Sequence, residues 1–400
     1  MSKKTNNTEE PVILNIPDDE IWTYQVEGLA PPRINKPYRH FTLKKIIFAL
    51  TIIVAVSVSC WFSVQTIQTD TFKYNSTENG YELTKFSNTG NITVLDIDFV
   101  SDIEYESDNP DVMSNFKIKK DTSKKVTSVG KYALNCDEKI KVITIGKDVT
   151  DIDPKAFYSC YALQRFDVDE NNPNYCSVDG VLYTKDMKRI ICHPCDHDAF
   201  LAEQFGFTQY DENGVPTEPD VNSKEYDRYV EQVLTFVVPS SVETIGELCF
   251  NYANIKNVYL PEGLKTVETL GFFKMTQLSS IYSYKGEAEV SRFESEEALG
   301  EVYVSLPDGL YFIGSDAFSY NQSLSYMYIP KSVTYIGHHA FWDTVYKQDN
   351  SLAGVTAINA EASAEAFEAV QTGNNWRPQY DYLLFKKSVD IIYNAKRGTE

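Results

Sequence analysis

The chain of 400 residues predicts a repeat solenoid of short parallel strands joined by turns or 3-10 segments, preceded by one transmembrane helix. Three observations predict it. Ile46 to Val64 (IIFALTIIVAVSVSCWFSV) holds nineteen residues without a charge. Downstream, an Ala-apolar pair recurs in a 23-residue register. Each copy joins a short alternating strand to a proline turn and has too little apolar surface to close a core alone, so stacked neighbours must close it.

Composition sets the frame. Apolar residues reach 42% and aromatics 13%, enough to bury a core. A net charge of −20 argues against nucleic acid as the main partner, because phosphate binding needs clustered Lys and Arg. Seven cysteines are too few to frame a small disulfide fold.

Residues 1–43 are rich in proline (Pro11, Pro17, Pro31, Pro32, Pro37) and read as a disordered cytoplasmic tail. Pro11 to Tyr24 mixes apolar and acidic residues in the manner of a docking peptide. The span within 44–66 covers about 28 Å at 1.5 Å per residue, close to a hydrocarbon core of about 30 Å. A cleaved signal peptide competes with this reading, but 45 residues precede the stretch and no clean small-x-small site follows. Arg33, Lys36, Arg39, Lys44 and Lys45 precede the span, whereas only Lys73 and Lys85 follow closely. That bias predicts a cell-membrane protein with its N-terminus cytoplasmic and its repeats outside. Residues 1–45 carry seven bases and six acids, a net of +1, which leaves −21 for residues 46–400.

Residues 67–125 are expected to form a linker and N-terminal cap, with the solenoid over 126–345. The paired slot is filled by Ala133-Leu134, Ala156-Phe157, Cys249-Phe250, Gly271-Phe272, Ala317-Phe318 and Ala340-Phe341. Prolines follow the strands at Pro239, Pro261, Pro307 and Pro330, in steps of 22, 46 and 23. The middle step reads as two units plus an acidic insertion, 285–301. A second insertion occupies 172–233, of which Asp196 to Val233 reads as a polar loop. In Ser325 to Pro330, alternation sets Met327 and Ile329 on the face opposite Tyr326 and Tyr328. Gly337 is expected to permit a tight bend. Residues 346–400 are expected to cap the array, with a helix over Ala360 to Val370 and strands at Tyr382 to Phe385 and Val389 to Tyr393.

These residues carry a resemblance. Ile336-Gly337-His338-His339-Ala340-Phe341, matching the start of the unit, and Leu324, Met327 and Ile329-Pro330-Lys331-Ser332-Val333, matching its end, resemble the BspA-type leucine-rich repeat of microbial surface proteins. Asn171 to Pro194 is similar to that family's hairpin insertion, and Gly80 to Ile97 to its lead-in. The resemblance spans roughly residues 80–345. Asp153 and Glu268, at the glycine position, depart from the pattern. It implies surface display and adhesion to host or microbial molecules, not catalysis.

Candidate chemistry is sparse. Cys192-His193-Pro194-Cys195-Asp196-His197 has a C-x-x-C but no fourth zinc ligand, and reads as a local disulfide or free thiols. Cys136 and Cys160 either bridge adjacent coils or stack as small buried residues. The pairing of Cys136, Cys160, Cys176, Cys192, Cys195 and Cys249 stays open. Asp167-x-Asp169-x-Asn171 lacks the glycine of a calcium loop. His338 and His339 read as solvated, and Asn75, Asn91 and Asn321 head glycosylation sequons. No hydrolase, zinc-protease or phosphate-loop motif exists, so no enzyme and no cofactor are expected. Tyr259, Tyr282, Tyr284, Tyr303, Tyr326 and Tyr328 lie in or beside strands, and Tyr259, Tyr282, Tyr303, Tyr326 and Tyr328 are the candidate ligand contacts. Two functions follow: a tethered recognition or adhesion module for an extracellular protein or glycan, or a transmembrane sensor coupled through the tail.

Overall fold

The computed structural model describes residues 71–88, 92–105, 116–210, 216–289, 292–293, 295–348, 351–380 and 387–399. The predicted tail, the predicted membrane span, Cys60 and Tyr382 to Phe385 lie outside the described residues. No helix among the described residues is long and apolar enough to cross a membrane.

A coil has two strands. Long strands stack in parallel in three groups. The first is Val94–Ile97, Val142–Ile145 and Arg165–Val168. The second is Thr235–Val237, Asn257–Pro261 and Ser280–Tyr284. The third is Tyr328–Ile329, Ala357–Ala360 and Asp390–Ile392. Short strands form a separate parallel ladder: Arg189–Cys192, Thr244–Ile245, Thr266–Val267, Phe312–Ile313, Tyr335–Ile336 and Gln371–Thr372. The ladder therefore runs past residue 345, and the first long strand, Val94–Ile97, precedes residue 126.

Turns between short and long strands form a third ladder. Leu248, Phe250 and Tyr252 donate N–H groups to the carbonyls of Thr269, Gly271 and Phe273. Leu270, Phe272 and Lys274 donate in the same way to Ser315, Ala317 and Ser319. Four of these turns hold two non-glycine residues with positive φ, four apart: Leu248 and Tyr252, Leu270 and Lys274, Asp316 and Tyr320, His339 and Asp343. That backbone aims alternate amides along the stack, so each turn is satisfied by the next coil.

The apolar slot builds the core. Phe250, Phe272, Phe318 and Phe341 stack with centroids 4.8, 5.1 and 5.3 Å apart and planes within 9°. Ile245, Val267, Ile313 and Ile336 form a parallel, fully buried column. Gly314, Gly337 and Gly373 are needed for close approach rather than for a bend. A Cβ at Gly314 would stand 2.5 Å from Glu268 C, and one at Gly337 would meet the backbone of Gly314 and Ser315. Asn321 is fully buried, accepting from Met275 N (2.8 Å) and donating to Phe272 O and Phe318 O, so its sequon is closed in the folded chain.

Several expectations change. Thr266–Val267 pairs directly with Phe312–Ile313, so the 46-residue step is one coil plus an insertion, not two coils. Asp196 to Val233 contains helices His197–Gln204 and Lys224–Gln232, the latter capped by Ser223, around Leu201, Phe207 and Tyr229. The expected helix at 360–370 shrinks to Ala364–Phe367, because Ala357–Ala360 is claimed by the strand ladder. The hairpin Tyr175–Val178 with Val181–Thr184 joins two cores: Leu182 faces one, Val181 and Tyr183 the other.

Phe272→Ala is expected to cost about 3–5 kcal/mol in urea unfolding, since it cuts the ring column at its middle. Gly337→Ala should also destabilise, whereas Gly398→Ala, where an added Cβ meets nothing within 4 Å, should be close to neutral.

Candidate recognition surfaces

The long-strand face carries the predicted tyrosines, and much of it is covered. Residues 285–289, 292–293 and 295–304 fold back over it. Ala288, Phe293, Leu299 and Val302 pack with Tyr259, Tyr282 and Tyr284. Tyr259 is 7% exposed and stacks on Tyr282 at 4.6 Å. Tyr284 is fully buried and donates its hydroxyl to Val238 O at 2.6 Å. Tyr328 is 1% exposed beneath residues near the C-terminus, with its hydroxyl 3.4 Å from Ala395 O. Burial pushes its phenol up to about 12. Tyr259 and Tyr328, two of the candidate contacts, and Tyr284 beside them are thus buried in packing. Strand alternation identifies two faces but not what later chain segments lie on them. Tyr282, Tyr303 and Tyr326 stay half-buried. Of these, Tyr303 donates to Glu301 (2.6 Å) and lies under Arg397 at 4.1 Å.

The short-strand face offers an open cleft. Its column of strand-starting residues reads Arg189, Thr244, Thr266, Phe312, Tyr335, Gln371. Phe312 and Tyr335 stack at 4.7 Å with planes 5° apart. The stack stops at Phe312, because the preceding coil supplies only Thr266. There a cleft of about 400 Å³ opens, lined by Glu247, Thr266, Glu268, Thr269, Tyr311 and Phe312. Glu268 is held by a forked ion pair with Arg189 and accepts from Glu247 N at 3.1 Å. Lys155 pairs with Glu247 at 3.0 Å. Glu268, the departure at the glycine position, is therefore the cleft's floor acid. The sequence signal for this site was an aromatic residue just before the core Ile at Phe312-Ile313 and Tyr335-Ile336, where the two preceding copies hold Thr244 and Thr266.

The turn face carries an aromatic chain. Tyr161 meets Tyr252 at 5.0 Å and Phe273 meets Tyr320 at 5.5 Å. Lys274 Nζ lies 3.1 Å from the Tyr252 hydroxyl and over its ring. Asp316 opens one turn at φ 53°, with its carboxylate 3.9 Å from His339 Nδ1. Burial pushes its carboxyl up to about 7, against the opposing Ser319 hydrogen bond. His338 is exposed and His339 half-buried, their ring centroids 3.7 Å apart.

The cysteine-histidine stretch is interior. His193 is buried between His197 and Phe236, each with ring centroids 5.0 Å away. Its Nδ1 lies 2.8 Å from Pro194 O, and His197 Nδ1 lies 2.8 Å from Gln164 O. Burial drives both imidazoles below their usual range and the thiols of Cys160, Cys192, Cys195 and Cys249 above theirs. The six described cysteines are free. Cys160 is buried and donates to Leu134 O, but Cys136 is exposed at φ 57°, so the two do not stack as a buried pair. Among the described residues no group of three His, Cys, Asp or Glu is arranged to hold a metal.

Residues 85–179 and 224–347, more than half of the chain, match the BspA type Leucine rich repeat region in 6 copies. No curated protein matches the chain. Its structure is similar to that of a leucine-rich repeat protein from Eubacterium ventriosum, at 16% identity and a TM-score of 0.38, over 64% of this chain and 60% of that one. It is similar to the pneumococcal vaccine antigen PcpA at 16% identity and 0.38, over 68% and 60%. A leucine rich cell surface protein from Faecalibacterium prausnitzii matches at 15% and 0.27, over 78% and 93%. The chain thus spans about 60% of the length of the first two. At these identities the likeness concerns the fold alone.

Asp316 gives a pH test. Its folded value lies above the unfolded value of about 3.9, so its contribution is full below about pH 4 and is lost as pH rises through about 7. Asp316→Asn keeps a residue that tolerates positive φ. It is expected to stabilise by about 1–3 kcal/mol at pH 8 and far less at pH 5, read from urea unfolding at both.

Proposed function

We propose that this chain, which belongs to the BspA type leucine-rich repeat family, is a surface-displayed recognition module for an extracellular protein or glycan. The apolar stretch 46–64 would tether it in the cell membrane with the tail inside and the acidic repeats outside. The observation that carries the reading is the cleft at Phe312. A ring stack ends there against a gap walled by Thr266, Thr269, Glu247 and Glu268. The free ring face offers stacking area, while the hydroxyls and paired carboxylates offer directional acceptors. The two-residue strands beneath are locked by the ladder, so contact residues are held without an ordering cost. The reading is of binding, and the two imidazoles of the cysteine-histidine stretch, His193 and His197, are buried in the core rather than presented at the surface.

Residues 71–400 are expected to bind a component of broad glycan and matrix-protein arrays. Phe312→Ala and Tyr335→Ala should weaken that binding at least about tenfold with little change in far-ultraviolet circular dichroism, as loss of an aromatic anchor does. No binder at all, or equal binding by both variants, would refute the reading.

A further inference from the structure

A single guanidinium sits in a built pocket on the long-strand face. Arg397 Nε donates to Ser305 Oγ at 2.7 Å, and Nη1 donates to Asp308 at 2.9 Å. Its Nη2 donates to Glu262 and to Ser283 Oγ. The Tyr303 ring lies beneath it, 4.1 Å from centroid to Cζ. The Arg397 side chain is 12% exposed. Ser283 and Ser305 are buried and 2.8 Å apart. Glu262 is positioned without the arginine, since it accepts from Asp308 N at 2.7 Å.

The backbone beside the pocket is equally specific. Val302–Val304 pairs on one side with Ser283 and Tyr284. On its other side, among the described residues, Gly398 and Thr399 pair antiparallel with Val304 and Tyr303. Without them Val302–Val304 is an open sheet edge next to two carboxylates and two buried hydroxyls. An open edge accepts an added strand, and a planar fork of acceptors selects Arg over Lys. Gly398 would admit any side chain, because an added Cβ meets nothing within 4 Å.

We propose that this edge and pocket form a docking site for an extended, arginine-bearing segment of a partner protein, with residues 395–399 as the resident occupant. The partner is basic at the contact, in keeping with the chain's charge of −20. The site shares no residue with the Phe312 cleft and stands independently of the function proposed above. The resident segment, tethered to the same chain, competes at high effective concentration. A partner enters when that segment lets go.

A labelled peptide with the sequence of residues 395–399 is titrated by fluorescence anisotropy against the full chain carrying Arg397→Ala. Saturable binding is expected, at least about tenfold tighter than for the peptide with citrulline in place of arginine, and lost again when Glu262→Gln is added. The unsubstituted chain should bind at least about tenfold more weakly, since its own segment competes. A folded Arg397→Ala chain that ignores the peptide, or binds the citrulline form equally, overturns the proposal and leaves residues 395–399 as a structural latch. Should Arg397→Ala unfold, hydrogen exchange of the unsubstituted chain in excess peptide decides. Faster exchange at residues 397–399 with residues 302–304 still protected supports the site, and unchanged exchange overturns it.

Discussion

Everything in this structure depends on each coil completing the backbone hydrogen bonds of the coil before it. A two-residue strand such as Thr266–Val267 has no stability alone. It persists because Thr244–Ile245 lies on one side and Phe312–Ile313 on the other. The turns obey the same rule, with Phe272 N–H donating to Ala317 O and Phe318 N–H to Ala340 O. Buried amides must find partners, and here the partner is the next copy of the same turn. The 22- to 23-residue register is the sequence record of that demand.

Side-chain chemistry follows from the spacing. Coils about 4.8 Å apart bring identical slots into contact. Phenylalanines therefore stack face to face rather than edge on, and glycines recur where one backbone touches another. The same spacing makes surface residues into columns. Where the column changes from Phe312 to Thr266, a ring face is uncovered and a cleft results. A recognition surface arises here from an interruption of the repeat, not from the repeat itself.

The periodic part of the fold was legible from residue spacing. Ala-Phe pairs, prolines after strands and the Ile-Gly step located the coils, because burial demands the same residue types at each turn. Contacts between distant segments were not legible. Nothing near Tyr328 announces that Ala395 will cover it, and nothing near Tyr259 announces Phe293. The positive-φ pairs fall on Leu, Tyr, Lys, His and Asp, so no glycine marked them. The Arg397 pocket draws on residues up to 135 positions apart, beyond any local pattern. The Phe312 cleft did leave a trace, an aromatic in a slot that holds threonine in the two preceding coils.

The most direct test of inter-coil completion is residue-resolved amide hydrogen exchange in the turns. Amides of Phe250, Phe272 and Phe318 should exchange as slowly as that of Val267 in the strand ladder, because each is bonded to the following coil. Rapid exchange at those three turn amides beside protected strands would contradict the account.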